Sequence, residues 1–299
     1  MAAPRRRFQH PVGRHLLFFL LTFATTTLVG QGHYAAFLSE FGAHEIEYSW
    51  ALLPGGLWYS LTILGILGAH EMGHYLACRR YQVDATLPYF LPLPPPFWTG
   101  TLGAVIRIRE AFPTRTILFD IGVAGPIAGF VALVPALFYG LSLSTIVPAP
   151  AESASLVYLG EPLLFRLGAW LMFGSIADGY TLNIHPIVFA SWFGMLATAL
   201  NLLPFGQLDG GHITYAILGR WSTHISLLTV ATAVVMTFFS TSWIVMTVMM
   251  LAMLLVLGPR HPRVIYEYEP LGRGRKRVAL FAVAMLALCF TPVPLAFTA

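Results

Sequence analysis

Charged side chains are scarce in this sequence: Asp, Glu, Lys and Arg make up 10% of its 299 residues, where a soluble domain carries roughly a quarter. That shortage excludes an ordinary water-soluble fold, and the polar stretches are too short to build a core of their own, so one integral membrane domain is expected. Cysteine is almost absent. Only Cys78 and Cys289 occur, each inside or at the edge of an apolar run, which excludes a disulfide framework. No internal repeat and no appended peptide-binding module is visible.

Apolar residues take the place of the missing charge, at 57% of the chain. Windows long enough for helical spans, about 20 residues each, lie near residues 15–31, 53–78, 116–140, 186–204, 222–241, 242–258 and 278–297. The run from Leu16 to Val29 follows a basic stretch as a signal peptide does, but no small-x-small cleavage site follows it, so it reads as an uncleaved first span. The short apolar segment 163–174 reads as interfacial or re-entrant. The expected fold class is an all-α multi-pass membrane protein of six or seven transmembrane helices with a membrane-associated loop and β-strand segment. Three parts are expected: an N-terminal span and external loop (1–54), an intramembrane core (55–220) and C-terminal transmembrane helices (221–299).

The net charge of +4 does not indicate a nucleic-acid partner, because the basic residues sit beside apolar spans, as in Arg5 to Arg7, Arg79-Arg80 and Arg273 to Arg277. They read as topology signals at a lipid bilayer. They put the N-terminus, the Arg79 to Arg115 region, Arg220 and the Arg260 to Arg277 loop on the cytoplasmic side, and Glu40, Glu45, Glu47, Glu152 and Glu161 outside. The short basic N-terminus lacks transit-peptide character, so a bacterial plasma membrane is expected, with the active site near its cytoplasmic face. Nothing in the sequence marks an oligomeric state.

Between the second and third spans, Leu87 to Trp98 is too rich in proline for a helix and too apolar for an ordinary loop. It leads into the strand-like run Thr101 to Arg109. Non-helical backbone at membrane depth is tolerated where protein buries it or where it lines a wet cavity, which suits a loop and strand that face a substrate.

His70-Glu71-Met72-Gly73-His74 is H-E-x-x-H near the cytoplasmic end of the second span. On a helix, residues i and i+4 share a face, so both imidazoles can bind one zinc while Glu71 stands beside the water. Three ionisable residues in an apolar helix are costly, by about 2.5–3.5 kcal/mol for each charged one at mid-membrane, and a function must offset that. Zinc catalysis needs a third protein ligand and an open position. Asp209 is the best candidate, because Pro204 and Gly206 break the preceding helix and free the carboxylate to point into the bundle. Cys78 continues the His70, His74 face but stands too far along the axis for a tetrahedral site, and reads as a packed thiol.

Three further features accompany these. Asn201 is either a donor to substrate or oxyanion or a buried amide bonding a neighbouring helix. His212 is either a donor behind the ligands or to the transition state, or polar packing. Gly125 to Gly129 is G-x-x-x-G, which favours close helix approach, here against the zinc helix. Asp120 is a cap or a partner for Arg115. His33, His44, His185 and His261 lack ligand spacing and read as solvated.

His70 to His74, Gly125-Pro126-Ile127-Ala128-Gly129 and Asn201 to Gly210, in that order, resemble the site-2 protease family of intramembrane zinc metalloproteases. Gly100 to Ala104 and Gly206 to His212 look most like the group that includes the chloroplast gravitropism-deficient proteases and their bacterial relatives. The resemblance implies one Zn2+ ion per chain on His70, His74 and Asp209, Glu71 as general base with Asn201 and His212 in attendance, and transmembrane protein substrates. A divalent-metal transporter and a catalytically silent membrane chaperone are the rival readings. The first predicts metal flux, and the second predicts that Glu71→Gln leaves function intact.

Overall fold

The structure is a computed structural model that describes residues 8–150, 157–258, 261–267 and 270–297. Arg5 to Arg7, Glu152 and Arg260, which entered the topology argument, lie outside the described residues. Chain order runs α1 (Val12–Ser39), α2 (Gly56–Arg80), β1 (Tyr89–Pro92), β2 (Thr101–Val105), α3 (Arg115–Ser142), β3 (Thr145–Pro148), β4 (Val157–Leu159), α4 (Leu163–Phe173), β5 (Tyr180–Asn183), α5 (Pro186–Leu202), α6 (Asp209–Leu218), α7 (Ser222–Met236), α8 (Ser242–Leu257), α9 (Arg273–Cys289) and β6 (Leu295–Phe297). The fold is a multi-pass, mostly helical membrane protein. Three segments, Val12–Gly42, Trp50–Arg80 and Arg115–Ser142, are long and apolar enough to cross a membrane, and Leu163–Phe173, Pro186–Leu202 and Ser242–Val256 are shorter apolar helices.

The chain divides into two compact units, 1–110 with 128–150 and 167–194, and 111–127 with 151–166 and 195–299. In the first, Thr26 Oγ1 on α1 meets Ser60 Oγ on α2 at 2.7 Å, and Tyr59, Ile63, Leu64, Phe90 and Ala190 make a buried cluster. Arg79 and Arg80 close α2, where positive charge suits the carbonyl end of the helix dipole. The chain then turns through Gln82 at φ 55°, with Val83 N–H donating back to the Cys78 carbonyl at 2.9 Å, a left-handed helix stop.

The proline-rich segment is one arm of a hairpin. β1 and β2 pair antiparallel, with Phe90 opposite Ala104 and Leu91 opposite Gly103, and the register shifts at Pro92, which has no N–H to give. The expected strand run from Thr101 to Arg109 is regular only to Val105, and Ile108 makes a single bridge to Ala85. The hairpin is fastened to the first two helices: Thr25 Oγ1 donates to the Gly100 carbonyl at 2.7 Å and Tyr59 Oη to the Thr99 carbonyl at 2.8 Å. Two further ladders, β3–β5 and β4–β6, have no counterpart in the sequence reading.

In the second unit, Leu203 and Phe205 pack with Val230, Ala233, Trp243 and Met250, which pins the loop between α5 and α6 onto α7 and α8. Arg275 of α9 forks onto Asp120 of α3, at 2.8 Å from Nε and 2.6 Å from Nη2.

Candidate metal centre

Helix α2 carries His70, Glu71 and His74, all buried. The helical period alone brings the two rings to one face, and their Nε2 atoms stand 3.2 Å apart. Two imidazoles on one tetrahedral zinc, with Zn–N of about 2.0–2.1 Å, place their nitrogens about 3.3–3.4 Å apart. The pair therefore fits the ion with little adjustment. Glu71 Oε1 lies 4.0 Å from His70 Nε2, so a carboxylate stands beside the paired nitrogens without capping them.

Close approach from α3 fixes the first ring. A Cβ built on Gly129 would lie 3.1 Å from the His70 Cβ and 3.3 Å from its Nδ1. The small-residue motif thus packs its second glycine directly on α2 at His70. Phe90 of β1 reaches within 3.6 Å of the position a Cβ would take on Gly68, so the hairpin rests on α2 just before His70.

Asp209, Asn201 and His212 belong to the second unit. Asn201 occupies the last turn of α5 and Asp209 the first position of α6. The turn between them folds back so tightly that a Cβ on Gly210 would strike the Leu202 and Leu203 carbonyls, and one on Gly211 the Gly206 carbonyl. This explains the Asp-Gly-Gly sequence locally: two bare residues let α6 begin directly beneath the loop carbonyls. His212 follows one turn after Asp209, and its Nδ1 lies 2.6 Å from Nε2 of His261. That separation is too short for two ligands of one zinc and is a hydrogen bond.

Several side chains sit elsewhere than the sequence suggests. His185 and His261 are buried, not solvated, and burial lowers the pKa of each. His33 reaches the Trp98 carbonyl at 2.9 Å, while His44 is exposed. Asp120 pairs with Arg275, and Arg115 Nη2 instead donates to the Tyr215 carbonyl at 3.4 Å. Cys78 is fully buried and packed. His261, Tyr215 and Glu267 form a group around His212 that no spacing in the sequence announces.

The chain matches the model of peptidase family M50 over residues 58–245. It is 33% identical over 179 residues to "Probable zinc metalloprotease EGY1, chloroplastic" of Arabidopsis thaliana, covering 59% of this chain and 32% of that protein. It is 33% identical over 176 residues to the EGY2 protein of the same description in Oryza sativa subsp. indica, covering 56% and 30%. With the EGY3 protein of that rice the figures are 32% over 221 residues, 66% and 36%. The chain thus spans about a third of the length of the curated relatives it matches. No solved structure matches it. The expected bacterial plasma membrane is overturned by these relatives, which are chloroplastic proteins of plants. The expectation rested on a short basic N-terminus without transit-peptide character, and basic residues beside a span decide which side a loop faces without distinguishing one membrane from another.

Proposed function

This chain belongs to peptidase family M50, and we propose that it is an intramembrane zinc endopeptidase that hydrolyses peptide bonds of membrane-spanning proteins. The observation that carries the reading is the 3.2 Å pairing of the His70 and His74 Nε2 atoms beside the Glu71 carboxylate. The motifs shared with the site-2 proteases support His70, His74 and Asp209 as the ligands, and a two-histidine, one-carboxylate donor set leaves a fourth position open for water, as catalytic zinc sites do. Bound there, zinc would lower the pKa of a water toward 7 and polarise a carbonyl.

Glu71 takes the proton from the attacking water and delivers it to the leaving amine nitrogen. Burial keeps this carboxylate out of bulk water, and electrostatic interactions are stronger in the less polar surroundings. Asn201 is the candidate donor to the oxygen that gains charge. A peptide bond inside a helix is shielded by its own hydrogen bonds, so the substrate must unwind locally. The β1–β2 hairpin, fastened against α1 and α2, offers extended backbone along which an unwound segment could be held.

Purified protein, wild type against Glu71→Gln, is incubated with a panel of single-span membrane proteins. Cleavage by wild type and none by the variant, at equal zinc content, is the expected result. Cleavage that persists in the variant, or metal flux into vesicles with no cleavage at all, would overturn the proposal.

A further inference from the structure

Before α1 begins, the chain is seated against the base of the β1–β2 hairpin. Phe8 N–H donates to Asp84 Oδ1 at 2.7 Å, and Arg109 Nη1 donates to the Gln9 carbonyl at 3.1 Å and to Asp84 Oδ2 at 3.4 Å. Asp84 precedes β1 and Arg109 follows β2, and Arg109 N–H donates to the Asp84 carbonyl at 2.8 Å. The seat therefore reads main chain: a carboxylate takes an N–H and a guanidinium gives to a carbonyl. Phe8 is held at φ 57°, a conformation that a bulky residue adopts only when its surroundings impose it. Tyr75 of α2 meets its ring edge-on at 6.3 Å, and Arg79 stands over it at 5.5 Å.

His10 is the weak point of this seat. Its Nε2 lies 3.0 Å from Tyr75 Oη, but its Nδ1 is buried with no hydrogen-bond partner among the described residues. His15 of α1 meets it edge-on, with ring centroids 6.1 Å apart. His15 Nδ1 donates to the Pro88 carbonyl at 3.1 Å, and its ring lies on Tyr89 of β1 at 3.9 Å. A neutral His10 tolerates this place, whereas a protonated one must carry an N–H on the partnerless Nδ1. Burial first, then the neighbouring His15 and Arg109, hold the pKa of His10 below its ordinary 6.5; Arg79 adds to them and Asp84 opposes them without reversing the sign. Glu110 is turned to the Asp84 N–H, at 3.3 Å.

We propose that Phe8 to His10 form a strap that docks at the base of the β1–β2 hairpin while His10 is neutral and lets go when His10 takes up a proton. The docked seat disfavours the proton, so by linkage the proton disfavours docking: the strap is fully seated above pH 6.5 and is lost as pH falls below it. Release gives up the contacts with Asp84, Arg109 and Tyr75 together, and with them the clamp that joins both arms of the hairpin to the end of α2. What release does to cleavage rests on the proposed peptidase activity, whereas docking does not.

Spin labels on Gln9→Cys and Arg80→Cys in the full-length protein report the strap by pulsed dipolar distance measurement in phosphatidylcholine nanodiscs. Both positions are exposed, and the native Cys78 and Cys289 are buried. One narrow distance is expected at pH 7.5, with a longer and broader population growing as pH falls from 6.5 to 5. His10→Gln keeps a hydrogen bond to Tyr75 within reach but cannot take up a charge, so it should stay docked throughout. Asp84→Ala should be released at both ends of the range. A single unchanged distance in wild type, or the same acid release in His10→Gln, overturns the switch. Asp84→Ala that stays docked overturns the seat. None of these readings depends on whether a substrate is cleaved.

Discussion

Gly129 faces His70 so closely that a side chain there would press on the imidazole: a Cβ would stand 3.1 Å from the His70 Cβ and 3.3 Å from Nδ1. Gly129→Ala should displace the ring by a few tenths of an ångström, and Gly129→Leu should dislodge it. We expect a zinc affinity roughly 10- to 100-fold lower for Gly129→Leu, the scale seen when groups that orient a ligand are disturbed, and a smaller loss for Gly129→Ala. Gly65 on α2 has nothing within 4 Å of its would-be Cβ, so Gly65→Ala should leave zinc binding unchanged. Zinc retained against a chelator series reports all three. Wild-type affinity in Gly129→Leu would mean that this approach does not position the ring.

The fork from Arg275 to Asp120 ties α9 to α3 through two short charge-assisted hydrogen bonds. Both groups are partly shielded, with the side chains 35% and 21% exposed, so removing one partner strands the other in a poorly hydrated place. Asp120→Asn or Arg275→Met should each cost about 1–3 kcal/mol. The double variant Asp120→Leu/Arg275→Met should lose less than the two single costs added. Unfolding in mixed micelles measures this, and strict additivity would show that the two side chains are energetically independent.

These two contacts also mark what the sequence could tell. His70, Glu71 and His74 were legible because a helix converts a spacing of four into a shared face, and Gly129 because small residues at i, i+4 advertise close packing. Asp120 and Arg275 are 155 residues apart, and His212 and His261 are 49 apart. No local period connects such pairs, so Asp120 looked like a partner for Arg115 and His261 like a solvated loop residue. The hairpin was half legible: the strand-like run from Thr101 to Arg109 contained β2, whereas the prolines around β1 hid its partner strand.

If the hairpin holds an unwound substrate, the apolar side chains it exposes should contribute to binding. Leu102 of β2 is 70% exposed and is held by a hairpin already fastened to α1 and α2. Leu102→Glu should raise KM for a single-span substrate roughly tenfold, the scale of burying a good part of one leucine, and leave kcat and zinc content near wild type. A fall in kcat alone, with KM unmoved, would count against the hairpin as a substrate platform.

His185 supplies a pH dependence with a definite sign. It caps α5: its Nδ1 accepts the Ile187 N–H at 3.4 Å, and its own N–H donates to Ser144 Oγ at 3.0 Å. Burial pushes its pKa down from 6.5 to about 4. Between those values the unfolded chain takes up a proton that the folded chain refuses, so this residue's contribution to stability is whole above pH 6.5 and is lost as pH falls toward 4. Protonation also removes the lone pair that caps the helix and sets a positive charge at its positive end. His185→Asn keeps a capping acceptor and cannot titrate in this range. The wild type should therefore lose more thermal stability than His185→Asn between pH 7 and pH 5, the two curves converging at the higher pH. Parallel curves across that window would show that His185 is charged or solvated in the folded state.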